Sequence, residues 1–127
     1  MKQILPLMFS SLLILAGCLH DSETAISVED LEKAIKSGSV TLIDVNGSKS
    51  YAEGHIPGAI DFEASKDSLK DSLPEDKNAL VVAYCGGPLC PSYKDGMKAA
   101  EELGYTNVKH FSGGISGWKK AGKELEK

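Results

Sequence analysis

The chain of 127 residues contains no arginine, and all fourteen of its positive side chains are lysines. Arginine is the usual side chain for holding a planar or tetrahedral oxyanion through paired hydrogen bonds, so substrates gripped in that way are disfavoured. No basic run and no cluster of base-stacking aromatics occurs, and the net charge is −4, which argues against nucleic acid as a partner. Cysteine is sparse, with three residues, and only Cys85 and Cys90 lie close together; C-x4-C alone is too little for a metal site. Gly113-Gly114-Ile115-Ser116-Gly117 lacks the spacing and the later acidic residue of a dinucleotide-binding turn. No cofactor and no metal is therefore expected. No internal repeat or low-complexity block appears. What is present is an ordinary globular composition, 42% hydrophobic and 25% charged, with enough chain for one core and too little for two.

Lys2 followed by the short apolar stretch Ile4 to Leu15 has the make-up of a signal peptide and is too short to span a bilayer comfortably. It ends in Leu15-Ala16-Gly17-Cys18, which resembles the lipobox of bacterial lipoproteins. That resemblance implies removal of residues 1–17 and a diacylglyceryl group on Cys18, with several acyl chains sufficing for stable membrane anchoring. Residues 18–25 would then be a polar tether. The expected location is the bacterial cell envelope, lipid-anchored and facing the periplasm or exterior, where disulfides are permitted.

Downstream, helical and strand signals alternate. Ser27-Val28-Glu29-Asp30 opens a helix with Val28, Leu31, Ala34 and Ile35 on one face, and Gly38 ends it. Val40 to Val45 reads as a strand buried on both faces. Ser50-Tyr51-Ala52-Glu53 has the form of a capping box before a short helical turn. A short strand at 59–62 follows, then a weakly patterned helical stretch from Glu63 to Leu73. Strand 79–84, helix 93–103, strand 108–111 and a final helix near 115–121 complete the order. Such alternation implies an α/β sheet with parallel pairing, covered by helices on both faces.

The apolar strand ending at Tyr84 runs straight into Cys85-Gly86-Gly87-Pro88-Leu89-Cys90-Pro91-Ser92, and a helix follows. Ligands on parallel sheets bind outside the C-terminal strand ends. Backbone N–H groups of such a loop, with the helix N-terminus behind it, favour a thiolate over a thiol. Cys85 is therefore expected to have a lowered pKa and to be a nucleophile. The alternative is a small apolar cysteine at a buried strand end.

Three segments in order carry a family resemblance. Leu42-Ile43-Asp44-Val45 with Tyr51-Ala52-Glu53-Gly54-His55-Ile56-Pro57-Gly58-Ala59-Ile60 resembles the N-terminal signature of the rhodanese homology domain. Val82-Ala83-Tyr84-Cys85 is similar to the strand that leads to that family's active cysteine. Ala99 to Val108, followed by Phe111-Ser112-Gly113-Gly114-Ile115-Ser116-Gly117-Trp118, resembles its C-terminal half. The resemblance spans residues 26–122 and leaves 123–127 as a tail. It implies a rhodanese-like three-layer α/β/α fold with a central, mainly parallel five-stranded sheet. It also implies sulfur transfer through a persulfide on Cys85, with Gly86, Gly87, Pro88, Leu89, Pro91 and Ser92 in the active-site loop.

Partners implied by that chemistry are a small sulfane-sulfur donor and a thiol or cyanide-type acceptor. Many thiosulfate-using members carry a C-x4-R loop, whereas here the fifth position after Cys85 is Cys90 and the nearest following cation is Lys94. Thiosulfate is accordingly disfavoured as donor, and so is the phosphatase chemistry of longer-loop relatives. Asn46 stands where many relatives have arginine. Cys90 has two open roles, a resolving thiol that closes a disulfide with Cys85 or a neutral loop filler. Two other readings of the chain remain beside sulfur transfer: a thiol–disulfide redox protein using Cys85 and Cys90, and a non-catalytic binding module of the envelope. Asp44 is expected to orient the turn after its strand. His55 reads as a structural hydrogen-bonding residue and Trp118 as core or helix-docking, while His110, on an expected strand, is given no role.

Overall fold

The computed structural model describes residues 24–127. The expected signal segment 1–17, the lipid-bearing Cys18 and the tether up to residue 23 lie outside the described residues. From Val28 onward helices and strands alternate: α1 (Val28–Ser37), β1 (Val40–Asp44), α2 (Ser48–Glu53), β2 (Ile60–Asp61), α3 (Phe62–Ser65), α4 (Leu69–Ser72), β3 (Leu80–Tyr84), α5 (Tyr93–Glu102), β4 (Val108–His110) and α6 (Gly114–Lys120).

The four strands among the described residues form one parallel sheet in the order β2-β1-β3-β4. Five strands were implied by the resemblance; in the fifth position, beyond β4, the described residues show a single parallel bridge between Ala25 and His110. There Ile26 N–H donates to the His110 carbonyl at 2.9 Å and His110 N–H donates to that of Thr24 at 2.7 Å. On its C-terminal side this pairing gives way to α1, which begins at Val28. The chain leaves β1 toward one edge and β3 toward the other, so the two central strands flank the topological switch point of the sheet.

Alternation along the central strands sends side chains to two cores. Ile43, Val81 and Ala83 pack with Phe62, Leu69, Leu73, Ala100, Tyr105 and Val108 beneath α3, α4 and α5. Leu42, Val82 and Tyr84 pack on the other face with Leu31, Ile56, Ala59, Phe111 and Trp118, beneath α1, α2 and α6. Burial on both faces is why these strands read as continuous apolar runs. Leu31, Ile43, Val81 and Val82 are fully buried, and each contributes about 1.5–3 kcal/mol by leaving water.

Two local expectations are corrected. The helix expected to open on a Ser50 capping box begins at Ser48, and its first turn is capped from outside: Ser48 N–H donates to Glu63 Oε2 at 2.6 Å. The stretch 63–73 is not one helix but the two short ones α3 and α4, separated by a turn in which Ser68 N–H donates to Ser65 O.

Candidate active site at the end of the central strand

The register Asp44↔Tyr84 between β1 and β3 brings Val45-Asn46 and Cys85-Gly86 side by side at the carboxyl edge of the sheet. Val45 N–H donates to Tyr84 O at 3.0 Å, the last rung before the strands diverge. Asn46 borders the cysteine loop, since a Cβ placed on Gly86 would lie 3.7 Å from its Oδ1. Helix α5 sits close to the sheet behind the loop because Gly96 faces it; a Cβ there would meet Val45 Cγ1 at 3.0 Å and Ala83 Cβ at 3.1 Å.

The loop is held from its other side by α6. Ile115 N–H donates to Cys85 O at 2.9 Å, and Ser116 N–H to Gly86 O at 3.0 Å. All peptide bonds here are trans, and in a trans peptide the N–H points opposite to the C=O. With both carbonyls turned toward α6, the N–H groups of Gly86 and Gly87 point away from it. They find no acceptor among the described residues. Gly87 O in turn accepts from Cys90 N–H at 3.1 Å, which folds the loop back on itself. Gly114, at φ +59°, lets α6 approach so closely: a Cβ there would lie 2.5 Å from Cys85 O and 2.7 Å from Gly87 N. The sequence signals Gly113-Gly114 as a break in the chain and does not reveal this contact.

Cys85 is 2% exposed, Cys90 is half-buried, and the two are joined by a disulfide with a Cα–Cα separation of 6.3 Å. That separation lies within the usual disulfide range of about 4.4–6.8 Å. Of the other loop residues, Gly86 and Gly87 are half-buried, and Pro88, Leu89, Pro91 and Ser92 are exposed. Leu89, at 98% exposure, is a large apolar side chain left in water beside Cys90.

Beneath the cysteine lies a buried polar pair. Tyr84 Oη donates to Asp44 Oδ2 at 2.7 Å and accepts from Ile56 N–H at 3.0 Å. Asp44 Oδ1 accepts from Asn46 N–H at 2.8 Å and so orients the turn after β1. Burial pushes the Asp44 carboxyl above its ordinary value, against the opposing effect of these two hydrogen bonds. Burial, then the Asp44 hydrogen bond, pushes the Tyr84 phenol far up, so it stays a neutral donor.

The remaining candidates are framework. His55 is buried and stacked on Tyr51 at 3.7 Å; its Nδ1 lies 2.8 Å from Tyr51 O and its Nε2 3.5 Å from Glu126 Oε2. His110 is buried on β4 and stacked on Tyr93 at 4.4 Å. Trp118 Nε1 donates to Glu124 O at 2.8 Å. Lys94 lines a pocket of about 210 Å³ with Tyr93, Met97 and His110, one that Cys85 does not line. Among the described residues no group of three or more His, Cys, Asp and Glu side chains could hold a metal ion.

A cysteine at the end of the third strand, in a loop cradled between two helix N-termini on a parallel sheet, agrees with one family model, the rhodanese-like domain, which matches residues 27–121. The chain belongs to the rhodanese-like family. The domain is 35% identical over 114 residues to the HTH-type transcriptional regulator Rv0324 of Mycobacterium tuberculosis, covering 87% of this chain and 48% of the regulator. It thus spans about half of that relative. It is 27% identical over 106 residues to the human thiosulfate:glutathione sulfurtransferase, covering 73% of this chain and 90% of the relative. Among solved structures, the BH2092 protein of Bacillus halodurans has a TM-score of 0.63 at 28% identity, with 82% of this chain and 77% of that one covered. The rhodanese-like fold is therefore shown, and of these three proteins the human one is named a sulfurtransferase.

Proposed function

We propose that this chain is a sulfurtransferase or sulfane-sulfur carrier that holds sulfur as a persulfide on Cys85. The observation that carries the reading is the turning of the loop peptides by α6: with the Cys85 and Gly86 carbonyls bound from behind, the loop N–H groups are left for an anionic sulfur species. The sulfurtransferase named among the relatives supports it. The Cys85 thiolate attacks the outer sulfur of the donor, the donor's S–S bond breaks, and its remainder leaves with the electron pair. An acceptor thiolate or cyanide then attacks the outer persulfide sulfur and returns Cys85 as thiolate. A polysulfide or another persulfide fits as donor better than thiosulfate, because positions 85–93 carry no cationic side chain. The disulfide form must first be opened by a thiol.

The Cys85–Cys90 disulfide favours a second reading, a thiol–disulfide redox protein. Intact mass decides between the two. Reduced Cys90→Ser, exposed briefly to a polysulfide, should gain one sulfur that cyanide removes and that Cys85→Ser never acquires. A wild type that loses two hydrogens while Cys90→Ser gains no sulfur refutes the first reading.

We further propose that the domain is anchored to the outside of a bacterial membrane through a lipid on Cys18, as the Leu15-Ala16-Gly17-Cys18 sequence motivates. Incorporation of labelled fatty acid that persists in Cys18→Ser would refute this.

A further inference from the structure

We infer that Cys90 gives the loop a second reaction: it cleaves a persulfide on Cys85 from within, releases hydrosulfide and leaves the Cys85–Cys90 disulfide. This rests on the persulfide reading above. The pair makes the domain a reductase of sulfane sulfur as well as a carrier.

A persulfide offers two sulfurs to a nucleophile, and the loop separates them. The inner one, Cys85 Sγ, belongs to a residue 2% exposed in the disulfide form, so the outer sulfur is the one an incoming thiol meets first. Cys90 is placed differently. Its Cα is 6.3 Å from that of Cys85, within the range that a disulfide spans, and the two Sγ atoms are bonded. The Cys90 N–H bond to Gly87 O holds this fold of the loop through backbone atoms, independently of the bond between the sulfurs. Attack on the outer sulfur would require Cys90 Sγ to reach about one S–S bond length, ~2 Å, farther out. The backbone therefore presents Cys90 to the inner sulfur.

Cys90 first gives its proton to solvent. Its thiolate forms a bond to Cys85 Sγ, the bond from Cys85 Sγ to the outer sulfur breaks, and the electron pair leaves on hydrosulfide. The outer sulfur is reduced, the two cysteine sulfurs are oxidised to the disulfide, and no external oxidant takes part. Return to the dithiol needs a reductant, which is a dithiol of the thiol–disulfide class. Its thiolate attacks Cys90 Sγ, the half-buried sulfur, and expels Cys85 as thiolate. Its second thiol then releases Cys90. One turn of this cycle converts sulfane sulfur and a dithiol into hydrosulfide and a disulfide.

The test is a single turnover with glutathione persulfide as donor, no added reductant, and sulfide counted above the amount that Cys85→Ser gives. Wild-type protein should end two hydrogens lighter and yield sulfide in proportion to the chains converted. Cys90→Ser should gain one sulfur, yield it to cyanide, and keep it about tenfold longer or more, since the internal nucleophile is gone. Cys90→Ala serves equally if the serine variant is unstable. Wild type that keeps the extra sulfur, with Cys90 still open to alkylation, overturns the inference alone. A Cys90 variant that gains glutathione in place of sulfur overturns it too, because the disulfide then arises through a mixed disulfide. A Cys90 variant that gains neither refutes the persulfide reading itself.

Discussion

Tyr84 Oη lies 2.7 Å from Asp44 Oδ2, joining the last residues of the two central strands immediately before Cys85. The same hydroxyl receives Ile56 N–H, so one buried oxygen ties β1, β3 and the Ile56 turn together. Removing it leaves a buried carboxylate oxygen and a buried N–H without partners. Tyr84→Phe is therefore expected to destabilise the fold by about 1–3 kcal/mol, as read by denaturant unfolding of the oxidised protein. An unchanged midpoint would show that water replaces the hydroxyl at no cost.

Asp44 should shape the acid side of the stability profile. Its folded-state pKa is raised, chiefly by burial. The folded state then holds this proton more tightly than the unfolded chain does. Its contribution to stability is fully present below the ordinary aspartate value of 3.8 and is lost as pH rises through the folded value. Relative to Asp44→Asn, the wild type should lose stability as pH rises across that window. Unfolding curves for the two proteins at a series of acidic pH values would refute this by staying parallel.

Gly114→Ala should damage the cysteine loop more than its surroundings. An added Cβ would collide with Cys85 O and Gly87 N, and both are backbone atoms that cannot turn aside. Overpacking of this kind costs about 1–3 kcal/mol, and here it would also break the Ile115 and Ser116 bonds to the loop carbonyls. Sulfur loading on Cys85 is expected to fall with stability. Gly58→Ala is the control, since a Cβ there meets nothing within 4 Å although φ is also positive. Equal loss in both variants would mean that backbone strain alone is responsible.

Reduction should loosen the domain modestly. A disulfide closing so short a loop is worth about 2 kcal/mol on the chain-entropy model. Reduced wild type and Cys90→Ser are expected to share a lower melting temperature than the oxidised protein. Coincident melting of oxidised and reduced wild type would show that the reduced loop is equally well held.

Mixed disulfides should form at one cysteine of the pair. Because Cys85 is 2% exposed and Cys90 half-buried, limiting glutathione added to the disulfide form should be found on Cys90 when peptides are mapped after acid quench. Recovery on Cys85 would mean that the loop opens before it reacts.

His55→Ala offers a contrast to the cysteine variants. Its ring is buried and stacked on Tyr51, and Nδ1 lies within hydrogen-bonding distance of Tyr51 O. The loss is expected in thermal stability, with sulfur loading per folded chain unchanged. Reduced loading at full stability would instead place His55 in the chemistry.

Much of this protein was legible in its sequence because the signals are local. Val81 to Tyr84 reads as a doubly buried strand, and Gly86-Gly87-Pro88 shows where it must stop. Cys85 is thereby set at a strand end whatever surrounds it. The alternation of strand and helix likewise implies parallel pairing before any contact is known. Tertiary structure alone decided the rest, because those features join segments distant in sequence. The Glu63 cap on α2, the Asp44–Tyr84 bond and the approach of Gly114 to the Cys85 carbonyl each depend on register and helix placement. So does the choice left open for Cys90. Spacing gave two thiols in one loop, but only the fold of that loop, closed by Cys90 N–H on Gly87 O with α6 behind it, brought their sulfurs into bonding contact.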